Sequence, residues 1–313
     1  MKHRFLPFLL MFAGIMLFFI DMKHESGSAI YQLYGFAHIA FFMFMASLVS
    51  RVPGVARRSF LYQFLIITSA VLFLGGIVEL IQPYFGRSGS WGDLGIDLVG
   101  GLLGIMFLAP VRRSLGRRHL VCGQIAVVAI AAIFFCGPVV TLWDMRQGSR
   151  QFPVLSDFES RLETRRWSSG EIHKGIARHG ESSLRVLLTR QKYAGTTLKR
   201  SFGDWRGYST FAFSLYNPDP DSLRITVSIR DQEHFVRGGQ YHDRFNRAFT
   251  MEQGWNDVAI PVSDIENAPS ARKLDLSRLS EVVIFTVDPP APRVMYLDYV
   301  HLKKCEVEKP GAG

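Results

Sequence analysis

Five side chains between Glu79 and Asp97 could bind, orient or transfer a proton: Glu79, Gln82, Arg87, Asp93 and Asp97. Glu79 and Gln82 are three apart, and Asp93 and Asp97 are four apart, so each pair shares one face of a helix. Pro83 ends the first of those helices. Asp93 at a helix start is favoured by the macrodipole, and Asp97 lies a turn deeper, where an unpaired carboxylate would be costly. In an enzyme, Glu79 or Asp93 would act as general acid or base, with Asp97 tuning it by like-charge proximity. Arg87 would hold a phosphate or carboxylate of the substrate, and Gln82 would orient it. The same residues also suit a structural lock in which Arg87 pairs with Glu79 or Asp93. Both readings stay open.

A second group of residues suits sugar binding, which needs aromatic platforms beside polar side chains. Trp167, Trp205, Tyr208, Phe235 and Tyr241 are the candidate platforms. Arg230, Asp231, His234, Arg237, Asp243 and Arg244 are their polar partners, and Arg230–Arg247 reads as a long, densely polar loop. The bland alternative is tryptophans in a core and charges on a solvated loop. There is no P-loop, GxGxxG, HExxH or nucleophile elbow. The nine histidines are scattered without metal-ligand spacing. The balance leans away from an enzyme and towards a binding protein, with an envelope scaffold as a further reading.

These residues sit in two contrasting halves. Up to Gln147 the chain is a series of long apolar runs, roughly Phe5–Ile20, Ala29–Ser50, Phe60–Ile81, Leu94–Val111 and Leu120–Leu142. Each approaches the ~20 residues that span a bilayer as a helix. The chain has 313 residues and a net charge of +9, with 12 Lys/Arg against 6 Asp/Glu before Gly148. Most of those cations lie in two loops, Arg51/Arg57/Arg58 and Arg112/Arg113/Arg117/Arg118. With Lys2 and Arg4 they share one side if the segments alternate, and the positive-inside rule makes it the cytoplasm. Five crossings then leave everything after Trp143 outside, on the same side as the Glu79–Asp97 group. Charges in the second half are mixed, which argues against a nucleic-acid partner. Three cysteines with no CxxC pair imply no disulfide framework.

From Gly148 onward the pattern is short strands and turns. Leu223–Arg230 alternates strictly, with Arg224, Thr226, Ser228 and Arg230 on one face. Further runs occur at Ser183–Thr189, Thr210–Tyr216, Trp255–Ile260, Glu281–Val287 and Val294–His301. The expected fold is an all-α transmembrane bundle of about five helices, residues 1–147. An all-β, jelly-roll-like sandwich of about eight strands follows it, residues 148–313.

Two resemblances extend this reading. Glu79-x-x-Gln82, Gly86-Arg87 and Asp93-x-x-x-Asp97-x-x-Gly100-x-x-x-Gly104 resemble the VanZ-like membrane family over residues 30–110. That family usually carries Asn where this chain has Asp97. The resemblance implies a role in the bacterial cell envelope of the kind linked to glycopeptide resistance, in the cytoplasmic membrane with its lipid. Residues 152–302 resemble jelly-roll, galactose-binding-like carbohydrate-binding modules. The resemblance rests on Ser156–Glu159, Gly254-Trp255-x-x-Val258-x-Ile260-Pro261, Asp275-Leu276-Ser277 and Tyr296–Val300. It implies an envelope glycan or lipid-linked precursor as partner. It also implies a structural calcium between the first and last strands, at Glu159 and Asp298.

Overall fold

A computed structural model describes residues 29–85, 91–199 and 203–304. The apolar segment Phe5–Ile20 and Arg87 lie outside the described residues. The chain divides into two compact units, Met1–Leu142 and Trp143–Gly313.

The first unit is helical. Its helices are Ala29–Val49, Phe60–Ile81 and Trp91–Leu103, the last running on through a π turn at Gly104–Leu108. A longer helix, Arg117–Gln151, begins in this unit. Among the described residues, three helical stretches are long and apolar enough to cross a membrane: Phe60–Tyr84, Trp91–Leu108 and Arg117–Gln151. Phe42, Ile67, Val71 and Ile105 form the buried centre of the bundle. Ser59 starts the second helix by accepting from the Tyr62 N–H at 3.4 Å.

Glycines set how closely these helices approach. A Cβ on Gly100 would lie 2.8 Å from the Ile39 carbonyl oxygen, and one on Gly104 2.4 Å from that of Met43. Both therefore face the Ala29–Val49 helix, while Gly101 meets Val71 of the Phe60–Ile81 helix. The Trp91–Leu103 helix therefore packs into both neighbours.

The helix Arg117–Gln151 runs nine residues past the expected apolar span, and its end belongs to the second unit. At ~1.5 Å per residue, 35 residues reach about 52 Å, well beyond a ~30 Å hydrocarbon core. The reason for the extension is a buried ionic cluster. Arg166 is 1% exposed and grips the Asp144 carboxylate, with Nε donating at 3.0 and 3.2 Å. It also donates to Gln151 Oε1 at 3.2 Å and to the Leu155 carbonyl at 2.9 Å. Glu163, fully buried beside it, accepts from the Asp157 and Phe158 N–H groups at 3.1 and 3.0 Å. Met145 packs on the core of the same unit. The compact unit therefore starts at Trp143, a few residues before the composition changes at Gly148.

Among the described residues, the rest of the second unit is an antiparallel β-sandwich of ten strands. One sheet has the order β2-β3-β10-β5-β8, with β1 also on β10. Its strands are β1 Val154–Ser156, β2 Glu171–Lys174, β3 Ser182–Leu188, β5 Thr210–Asn217, β8 Gly254–Pro261 and β10 Arg293–Lys303. The other has the order β4-β9-β6-β7, from β4 Tyr193–Leu198, β6 Leu223–Asp231, β7 Phe245–Met251 and β9 Leu279–Val287. Alternation sends Ile225, Val227 and Ile229 of β6 inward with Val282 and Ile284 of β9, against Leu184, Val186, Phe211, Leu215 and Leu297 of the facing sheet.

Two outcomes are expected of the cluster at Arg166. Asp144→Ala removes the paired carboxylate of a buried guanidinium, so it should cost about 3–5 kcal/mol in thermal unfolding of Trp143–Gly313. A cost below about 1 kcal/mol would contradict the pairing. Burial pushes the Glu163 carboxyl up to about 7 from its ordinary 4.5, against the pull of Arg166. A raised folded-state value means its contribution is fully present below pH 4.5 and is lost as pH rises through about 7. Glu163→Gln should flatten that part of the Tm–pH profile; an unchanged slope would contradict the assignment.

Candidate functional site: a groove on the four-stranded sheet

The outer face of the β4-β9-β6-β7 sheet is built from the residues that alternation leaves out of the core. On β6 these are Arg224, Thr226, Ser228 and Arg230, and on β9 Glu281, Val283, Phe285 and Val287. Register aligns them in rows: Gly195, Phe285, Thr226 and Ala248 cross the sheet together, and Arg230 stands opposite Glu281. Gly195 has no room for a side chain, since a Cβ there would lie 2.5 Å from the Phe285 Cα.

This face carries a groove of about 640 Å³. Tyr193, Tyr241 and Phe285 are its aromatic side chains, and Arg230, Arg244 and Asn246 are prominent among its polar ones. Ser168, Thr197 and Thr226 add hydroxyls. Tyr193 meets Phe285 edge-on at 5.6 Å, and the Arg244 guanidinium lies 5.1 Å over the Tyr241 ring. The groove runs on into a smaller hollow of about 270 Å³ at Arg224 and Thr286, sharing Thr226 and Val287. Apolar ring surface beside hydroxyl, amide and guanidinium donors is what a sugar chain needs.

A second buried cation holds one side of the groove. Arg272 is 8% exposed and binds two carboxylates, Asp231 at 2.5 Å and Asp243 at 2.6 Å. Asp231 also accepts from the His234 and Asp275 N–H groups, at 2.9 and 2.8 Å, so it caps the short helix Gln232–Val236. Burial acts to raise the Asp231 carboxyl, but these hydrogen bonds outweigh it and hold the group below its ordinary value. The Arg272 hydrogen bond holds Asp243 low as well. His234, 2% exposed, places its Nδ1 3.0 Å from the Asp243 carbonyl. The stretch expected as one loop is thus a capped helix, a turn and the start of β7, which brings Tyr241 and Arg244 to the groove.

Of the sugar-site candidates, Arg230, Tyr241 and Arg244 line the groove. Trp167 and Trp205 do not: they are 3% and 0% exposed, in the core. Trp167 donates to Ser156 Oγ at 3.0 Å, and Trp205 stacks on Phe211. Tyr208 packs on Phe152, His234 and Asp243 serve the buried network, and Arg237 pairs with Glu233. Phe235 is 39% exposed but outside the groove lining. Sequence reasoning missed Tyr193, Phe285 and Asn246. The signal for Tyr193 was Tyr-x-x-Thr-Thr in β4, whose strand propensity Gly195 obscures.

Glu159 and Asp298 come to one segment, but as hydrogen-bond acceptors. Glu159 Oε1 accepts from the Glu181 and Ser182 N–H groups at 2.9 and 3.0 Å. Asp298 accepts from the N–H groups of Arg178 and His179 at 2.6 and 2.8 Å, and from that of Tyr299 at 2.7 Å. A calcium ion needs surrounding oxygens, and here the positive ends of N–H bonds face the carboxylates. These residues do not fit the expected cation. Among the described residues no group of three or more His, Cys, Asp or Glu could hold a metal.

The opposite sheet has a hollow of about 650 Å³ lined by Arg178, Ser214, Asp257, Tyr299 and Lys303, among others. Its polar groups are largely engaged with one another: Arg178 with Asp257 at 2.8 Å, Ser214 with Asp257 at 2.7 Å. Its Tyr299 ring stacks on His179 and meets His301 at a tilt. That leaves less for a ligand than the groove does.

In the helical unit, Asp97 meets a residue the sequence reading did not single out. His38 Nδ1 lies 2.6 Å from Asp97 Oδ1, and both side chains are buried. Gly75 of the Phe60–Ile81 helix makes room for the carboxylate, since a Cβ there would fall 2.7 Å from Asp97 Oδ2. Gln82 is fully buried, and Glu79 and Asp93 are half-buried. The pair to Arg87 lies outside the described residues.

No family model matches the chain, and no curated protein matches it. The VanZ-like resemblance therefore rests on its motif residues alone. Similar solved structures include the family 11 carbohydrate-binding module from Clostridium thermocellum in complex with a β-1,3-1,4-mixed-linked tetrasaccharide. It is 18% identical, with a TM-score of 0.38 over 48% of this chain and 94% of that one. An exo-β-agarase is 13% identical, with a TM-score of 0.40 over 48% of this chain and 24% of its own. A family 28 module specific for non-crystalline cellulose is 14% identical, with a TM-score of 0.36 over 49% of this chain and 93% of that one.

Proposed function

We propose that this chain is a membrane-anchored glycan-binding protein of the cell envelope. The β-sandwich binds an extended sugar chain along its four-stranded sheet. The apolar helices hold the sandwich at the outer surface of a cytoplasmic membrane. One observation carries the reading: the groove of about 640 Å³ in which Tyr193, Tyr241 and Phe285 stand beside Arg230, Arg244 and Asn246. The orientation follows from the three basic stretches, Lys2/Arg4, Arg51–Arg58 and Arg112–Arg118, which the positive-inside rule keeps in the cytoplasm.

Binding of envelope polysaccharide fragments to the full chain should weaken about ten-fold, roughly 1.4 kcal/mol, in Tyr193→Ala and again in Tyr241→Ala. Tyr299→Ala, on the opposite sheet, should leave it unchanged. The reading fails if both groove variants stay folded and bind as the parent does, or if no polysaccharide binds.

A further inference from the structure

We infer that the groove takes an acidic glycan, one that bears carboxylate or sulfate groups along its length. This rests on the glycan-binding reading of the groove.

The argument starts from a guanidinium without a carboxylate. The most buried arginines of the sandwich are paired: Arg166 with Asp144, Arg272 with Asp231 and Asp243, and Arg293 with Asp219. Arg244 is different. It is half-buried in the groove, and among the described residues it has neither an ion pair nor a hydrogen bond; its contact is the Tyr241 ring. Its Nε is shielded from solvent with no acceptor. Burial, and then the neighbouring Arg230 guanidinium, both work against its charge. An arginine nevertheless stays protonated, so the charge persists.

The remaining charges do not neutralise it. The carboxylate of Glu281, beside the groove on β9, is already paired with Arg230. Further along β6, Arg224 is exposed and also lacks an ion-pair partner among the described residues. Arg224 and Arg230 lie six residues apart on one strand, about 20 Å, which spans several sugar units. Hydroxyls of a neutral sugar would give Arg244 neutral acceptors. A carboxylate or sulfate would give it paired, charge-assisted hydrogen bonds, which are about twice as strong. The positive groove also draws an anionic chain in from solution.

Full-length protein in a polyoxyethylene detergent, which has no sugar headgroup to compete, can be titrated calorimetrically with three hexasaccharides. These are an oligogalacturonate, a sulfated galactan fragment and a neutral β-1,3-1,4-glucan. At least one acidic chain should bind about ten-fold tighter than the neutral one, and raising salt from about 20 to 200 mM should remove most of that preference. Arg244→Gln should bring the acidic chain to the neutral level, while Arg244→Lys keeps part of the difference. Arg244 has no carboxylate to lose, so the Gln variant should keep the parent Tm or exceed it. Equal or tighter binding of the neutral chain, or an acidic preference that survives Arg244→Gln, overturns this inference and leaves the glycan-binding reading standing. Binding of none of the three overturns both.

Discussion

A β-strand sends successive side chains to opposite faces, and in β6 and β9 the two faces serve different ends. Ile225, Val227 and Ile229 close the sandwich core with Val282 and Ile284. The residues between them, Arg224, Thr226 and Arg230 with Val283 and Phe285, form the floor of the groove. A slip of one residue in β6 would move arginine into the core and isoleucine into the groove. Core packing therefore fixes the register, and the register fixes the binding face. The groove is rigid because what holds it is the same apolar core that holds the domain.

Buried ions fix the parts that strands do not. Arg272 ties Asp231 to Asp243 and so orders the segment that presents Tyr241 and Arg244. Arg166 ties Asp144 and Gln151, at the end of a 35-residue helix, to the start of the sandwich. Each is a cation placed among acids, with backbone groups satisfying the remaining donors or acceptors. Such clusters add little net stability over an apolar replacement, but they are costly to break one partner at a time. Their effect is to specify one arrangement. In the helical unit, His38 and Asp97 make a buried contact of 2.6 Å between residues 59 apart in the chain.

Much of this was legible from periodicity. The apolar run Phe60–Ile81 coincides with its helix, and all six strands read from alternation are present. The strands that escaped include β4, where Gly195 interrupts the run, and β7, where Asn246 and Arg247 side by side break the alternation. They are also the strands that complete the groove, so Tyr193 and Asn246 escaped with them. Trp167 and Trp205 have the residue type of a sugar platform but sit in the core, because composition does not say which face a tryptophan takes. His38 was invisible for a similar reason: its partner is 59 residues away, and no local spacing links them. Glu159 and Asp298 were read as cation ligands, but each accepts backbone N–H groups of residues 178–182, and sequence does not show that.

Amide chemical-shift mapping of the isotopically labelled unit Trp143–Gly313, titrated with an oligosaccharide that it binds, tests the central claim most directly. The account predicts perturbations concentrated in β4, β6, β7 and β9, strongest around Tyr193, Thr226, Arg230, Arg244 and Phe285. Perturbations gathered instead around Arg178, Ser214, Asp257 and Tyr299, on the opposite sheet, would contradict it.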